Sequence, residues 1–241
     1  MRVEQTKFCR ERTADIQYII LHCSRNEPNG ILQVLNEREL SAHYIIGSDG
    51  ETVENCAPEK VAYHAGLSRW CGSQEKSLNG CSIGIEITAP TLGQYAADYS
   101  EAAITALIHL VHLLKEKYHI RTENIIGHSD IAPDRKPDPG VGFPWQKLAL
   151  NGIGVWYDKA ILATETDEEK LLADIGYDVR NLNAARYAFC RHFYPQDVKI
   201  IEDIHTLVNH PVEENFMPKD KTEYQQILRA VAQAFAHYRK F

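Results

Sequence analysis

Residues 16–22 read IQYIILH, a β-branched and aromatic run that is apolar on both faces until its last position. A strand of this kind has no face to give to water, so it belongs in the middle of a sheet covered on both sides. With helices as the covers, the chain is expected to form an α/β domain with a central mixed sheet. His22 then stands at a strand end, where a sheet delivers side chains to a site.

Other segments supply the remaining parts of such a domain. In residues 82–88, SIGIEIT, alternation puts Ile83, Ile85 and Ile87 on one face and Gly84, Glu86 and Thr88 on the other. Residues 43–47 and 51–55 flank Ser48-Asp49-Gly50, a strand, turn, strand pattern in which Asp-Gly tolerates a tight hairpin. Ser100 suits the N-cap of a helix whose stripe is Ile104, Leu107, Ile108, Val111 and Leu114, ending near Tyr118. A short strand over residues 124–128 precedes residues 129–142, where prolines and glycines forbid regular structure. Pro144 opens a further helix through about Leu150, with Gly152 as its stop.

After Trp156 the pattern changes. The polar stretch ATETDEEK, residues 163–170, marks an expected boundary at residue 162, giving one domain over 1–162 and a small all-helical one over 163–241. Helices are expected near residues 171–175, 183–193, 197–209 and 221–238.

Charge and composition narrow the function. With 26 Lys and Arg against 33 Asp and Glu, the net charge of −7 gives no surplus to neutralise a phosphate backbone, so nucleic acid is not an expected partner. The longest apolar run, interrupted by His109 and His112, falls short of the roughly 20 residues a membrane span needs. The first fifteen residues are charged throughout and hold no apolar core of a signal peptide. As written, the chain is therefore expected in the cytoplasm, with the periplasm or envelope as the alternative if the sequence is trimmed or exported otherwise. Its six cysteines form no CxxC pair and are expected as free thiols.

Eleven histidines are many for 241 residues, but a single histidine is more often a surface or satisfied core residue than a ligand. His109, His112, His119, His192, His205, His210 and His237 show no metal-ligand spacing and receive no role. His22 and His128 differ, since each ends a strand of what reads as one sheet. A catalytic zinc takes three protein ligands and keeps a fourth position for water, so a third ligand is needed nearby. Asp130, Asp134 and Asp138 all follow His128 in the proline-rich loop, and spacing does not choose among them.

Five motifs occur in order: LHCS at 21–24, SAHY at 41–44, YHAG at 63–66, LNGCSIGIEI at 78–87 and GHSDIAPDRKPDPG at 127–140. Over about residues 15–155 the chain resembles the zinc-dependent N-acetylmuramoyl-L-alanine amidases of the AmpD and AmiD type, to which T7 lysozyme and the peptidoglycan-recognition proteins also belong. Position by position, the resemblance implies His22, His128 and Asp138 as ligands of one Zn2+ ion, with Glu86 and Lys136 as the catalytic pair. Glu86 would act as general base and then acid, and Lys136 would bring positive charge to the oxyanion. His43, Tyr44, His64, Trp70 and Asn79 are expected to line the substrate groove, and Cys23 to turn away from the metal.

The implied reaction is hydrolysis of the amide between the lactyl group of N-acetylmuramic acid and L-alanine of the stem peptide, in bacterial peptidoglycan turnover and recycling. The implied partners are muropeptides, including 1,6-anhydro forms, or the sacculus. A non-catalytic peptidoglycan-recognition module and a lytic amidase acting on intact wall are the rival readings. In the tail, LLADIGYDV at 171–179 and AARYAFCRHFYP at 184–195 resemble a small peptidoglycan-binding helical domain, with Cys190 where a glutamine is common.

Overall fold

A computed structural model of the chain describes residues 1–73 and 76–240, so Phe241, the end of the expected tail, lies outside the described residues. The strands are β1 (Arg2–Val3), β2 (Cys9–Glu11), β3 (Tyr18–Ser24), β4 (Tyr44–Ile46), β5 (Thr52–Glu54), β6 (Lys60–Ala62), β7 (Ser82–Thr88) and β8 (Ile125–Gly127). Six of them form one mixed sheet in the order β1-β5-β4-β7-β3-β8, and β2 pairs with β6 apart from it. β3 lies between β7 and β8, parallel to both, which is the central place its two apolar faces demand. The expected hairpin is the antiparallel pair β4 and β5.

The helices are α1 (Pro28–Glu37), α2 (Glu101–Tyr118), α3 (His128–Ile131), α4 (Trp145–Ala149), α5 (Glu168–Ile175), α6 (Leu182–Phe193), α7 (Ile204–Asn209) and α8 (Lys221–Tyr238). Ser100 caps α2 by accepting from the Ala103 amide, and His119 ends it in the left-handed conformation. Ile83, Ile85 and Ile87 of β7 share one apolar cluster with Ala103, Leu107 and Val111 of α2 and with Trp145 and Leu148 of α4. Period two on the strand and the three-and-four stripe on the helix thus meet on one face of the sheet.

The opposite face carries two separate covers. Ile31 and Leu35 of α1 pack on Ile45 and Val53 at one end. Ile20 and Ile126, at the other end, join Trp70 and the helices of the tail through Leu172, Phe189 and Val231. Between these covers the sheet presents His22 and Glu86. Residue 162 separates sequence with strands from sequence with helices only, while the apolar packing runs across it.

Two expected elements differ in detail. His128 does not close a strand but opens the one-turn α3, because the Asp130 carboxylate accepts the Gly127 N–H and starts a helix inside the proline-rich loop. The helix expected over 197–209 shrinks to α7, capped by Asp203. None of the six cysteines is in a disulfide, and no helix among the described residues is long and apolar enough to cross a membrane.

Candidate metal centre

β3 and β7 run in register with His22 opposite Glu86, so both project onto the face left open between α1 and the tail. The loop after β8 brings His128 and Asp138 to the same place. His22 Nδ1 is 2.9 Å from His128 Nδ1, and Asp138 Oδ2 is 3.2 Å from the first and 3.0 Å from the second. All three side chains are buried.

The hydrogen bonds behind these groups decide which atoms carry protons. His128 Nε2 lies 3.1 Å from the Ala65 carbonyl, which only accepts, so Nε2 holds the proton and Nδ1 is a bare lone pair in the neutral ring. His22 Nε2 lies 2.9 Å from His64 Nδ1, His64 Nε2 lies 3.2 Å from Ser82 Oγ, and Ser82 Oγ donates to the Leu78 carbonyl. Reading that chain from its end, Ser82 accepts from His64 Nε2–H, His64 Nδ1 accepts from His22 Nε2–H, and His22 Nδ1 is left bare. Burial and the neighbouring His128 push the His22 imidazolium down to about 4, so this ring is neutral at pH 7. Burial alone would raise the Asp138 carboxyl, but the positive charge and N–H donors that His128 and His22 offer whenever they are protonated hold it well below the usual carboxylate range. With both rings in these neutral tautomers, two lone pairs and a carboxylate face one another, an arrangement a divalent cation satisfies. The ligand atoms of His22, His128 and Asp138 all lie within 4.8 Å of one another, as one ion requires.

The three aspartates left open by spacing are separated by burial and direction. Asp134 is exposed. Asp130 is buried but faces away, accepting from Tyr177 and His192. Asp138 alone of the three joins the histidines.

Glu86 and Lys136 line the same cleft of about 200 Å3 as the three ligands. Glu86 Oε2 is shielded from water and has no hydrogen-bond partner among the described residues. Burial pushes its carboxyl up to about 8, the Asp138 charge adding to the rise and Lys136 opposing it. Cys23 alternates to the apolar face with α2, as expected.

The residues expected in the groove divide. His64 reaches the centre, stacked edge-on to His22 at 5.0 Å. Its place depends on Gly84, since a Cβ there would stand 2.4 Å from the imidazole. Asn79 acts one step back: its Oδ1 accepts the His64 and Ala65 amides and fixes the loop that carries them. His43 does not line the groove. Its Nδ1 accepts the Gly84 amide and its Nε2–H meets the Lys60 carbonyl, so neither nitrogen is left for a ligand. Tyr44 packs into the α2 face with its hydroxyl toward Glu54, and Trp70 is buried edge-on to Tyr177 and Phe235, so both are core residues. His192, given no role by spacing, is buried on Asp130, a partner 62 residues away that no local pattern reveals.

Residues 12–141 match the family model described as N-acetylmuramoyl-L-alanine amidase. The chain is 36% identical over 210 residues to the N-acetylmuramoyl-L-alanine amidase AmiD of Escherichia coli, covering 75% of each protein. Among solved structures it resembles E. coli AmiD in complex with its substrate anhydro-N-acetylmuramic acid-L-Ala-D-gamma-Glu-L-Lys, with a TM-score of 0.68 and 30% identity over 94% of this chain and 97% of that one. It also resembles AmpDH3 of Pseudomonas aeruginosa in complex with an anhydromuramic pentapeptide, with a TM-score of 0.66 and 28% identity over 80% and 89% of the two chains.

Proposed function

The chain belongs to the N-acetylmuramoyl-L-alanine amidase family, and from that membership we propose how its own residues carry out the hydrolysis. The enzyme cleaves the amide that joins N-acetylmuramic acid to L-alanine in peptidoglycan fragments. On our reading the fragments include anhydro-muropeptides, the class held by its structural relatives.

His22, His128 and Asp138 would hold one Zn2+ ion. Bound there, zinc polarises the scissile carbonyl and makes water acidic enough to attack near neutral pH. Glu86 takes a proton from the attacking water and passes it to the departing L-alanine amine. Glu86 lines the cleft beside the three ligands, within reach of a water held there, as a proton carrier must be. General acid–base catalysis of this kind contributes about 10²- to 10⁴-fold. Lys136, in the loop that carries Asp138, neutralises the oxyanion as charge develops on it.

The convergence of two proton-free imidazole nitrogens on the Asp138 carboxylate carries this reading over that of a non-catalytic recognition module, which has no need for three bare donors. Incubation with anhydro-N-acetylmuramyl tripeptide, followed by mass spectrometry, tests it. Free anhydro-sugar and intact tripeptide are expected, with loss of turnover on chelation and recovery on adding zinc. An uncleaved substrate at stoichiometric zinc overturns the reading. Residence in the cytoplasm or in the envelope is decided by fractionation against an envelope marker.

A further inference from the structure

We propose that Arg191 and His192, consecutive residues of α6, are positioning residues through which the helical tail holds both ends of the loop bearing the metal ligands. The inference rests on the reading of His128 and Asp138 as those ligands.

The first end of the loop is Asp130, two residues after His128. Its carboxylate is 1% exposed and takes three donors: the Gly127 amide at 2.7 Å, the Tyr177 hydroxyl at 2.7 Å and His192 Nδ1 at 2.9 Å. The Gly127 bond sets the entry to α3, hence the direction in which His128 leaves the sheet. The other two donors belong to the tail. A buried carboxylate without its donors is costly, so the tail helps decide whether Asp130 keeps its place. The His192 ring is itself held flat between Trp145 at 3.9 Å and Phe193 at 3.8 Å.

The second end is Lys136, two residues before Asp138. The guanidinium of Arg191 is buried, donates through one NH2 to the Lys136 carbonyl at 3.3 Å and through the other to the Pro211 carbonyl, and lies over the Tyr187 ring at 4.9 Å. Neighbouring residues on a helix diverge by about 100°, so one short stretch of α6 can reach two separate points. The loop's own backbone joins those points, since the Ser129 amide donates to the Asp138 carbonyl at 2.7 Å. Burial of an arginine and a histidine is an expensive way to fill space, which apolar side chains would do better. Their directed bonds to opposite ends of one loop account for that cost.

The test uses the full chain and the variants Tyr177→Phe, His192→Phe, Arg191→Met and Arg191→Lys. Zn2+ affinity is measured by competition with a chromophoric chelator, the visible spectrum is recorded with Co2+ bound, and kcat and KM are separated on anhydro-muramyl tripeptide. Loss of outer partners typically weakens metal binding by about 10- to 100-fold. Losses in that range are expected for His192→Phe and Arg191→Met, with a shifted Co2+ spectrum, a lower kcat and little change in KM. Arg191→Lys, which keeps a donor, is expected to recover part of the loss. Tyr177→Phe removes one hydroxyl and retains the ring, so it reports on the brace even if a bulkier change prevents folding. Variants that lose thermal stability but keep wild-type zinc affinity and Co2+ spectrum overturn the proposal and leave the tail as packing alone. A wild-type chain that binds neither ion overturns the metal reading and this proposal with it.

Discussion

His64 Nδ1 stands 2.9 Å from His22 Nε2, on the side of the ring away from the other ligands. This contact decides which His22 nitrogen is free for a metal, because the chain through Ser82 to the Leu78 carbonyl admits only one arrangement of protons. Replacing His64 with alanine removes the acceptor and frees the ring to turn. Zinc affinity is expected to fall by about 10- to 100-fold, measured by chelator competition. An affinity unchanged from wild type would show that the chain of protons is not needed.

Gly84 gives the same chain a second handle. Alanine there would put a Cβ 2.4 Å from the His64 ring and evict it from behind His22. Gly84→Ala is therefore expected to reproduce the zinc defect of the His64 variant, and overpacking adds a stability loss of about 1–3 kcal/mol. Urea unfolding and zinc titration of the same sample separate the two effects. Wild-type zinc binding in a destabilised protein would mean that the imidazole finds another route to His22.

Glu86→Gln retains the size of the side chain and removes its basicity. Zinc content, read by elemental analysis, should stay at one ion per chain while kcat falls by about 10²-fold or more. Loss of zinc together with activity would move Glu86 from proton transfer to metal holding.

The same residue makes a prediction about the metal-free protein. Burial holds its folded-state carboxyl near 8 against an ordinary value of 4.5. The native state thus grips the proton more tightly than the unfolded chain, so the penalty is absent below pH 4.5 and grows as pH rises toward 8. Metal-free Glu86→Gln should be more stable than the metal-free parent by on the order of 1–3 kcal/mol at pH 8 and no more stable at pH 4. Urea midpoints at the two pH values check this, and a gap that does not widen with pH would refute it.

Much of this was legible in particular residues. Period two in SIGIEIT put Glu86 opposite the isoleucines, and the doubly apolar run before His22 put β3 at the centre. α1 is hard to read because it opens on Pro28, Asn29 and Gly30, which resemble a turn, although Ile31 and Leu35 keep the four-residue spacing that its packing on Ile45 and Val53 uses. Tyr44 and Trp70 are buried, which their sequence does not reveal, because an aromatic side chain looks the same in a core as in a cleft. Asp130 could not be told from Asp138 by spacing, since a proline-rich loop has no period to say where its side chains point.

Trp70, Ile20 and Ile126 lie under the same greasy layer as Leu172, Phe189 and Phe235, on either side of the point where strands give way to helices. A gene shortened to its first 162 codons would leave the Ile20 and Ile126 end of one sheet face naked to water, and the remaining 79 codons would encode a bundle with the matching bare side. The tail is thus no portable cassette: whoever grafts it onto another amidase must carry its bed of sheet residues with it.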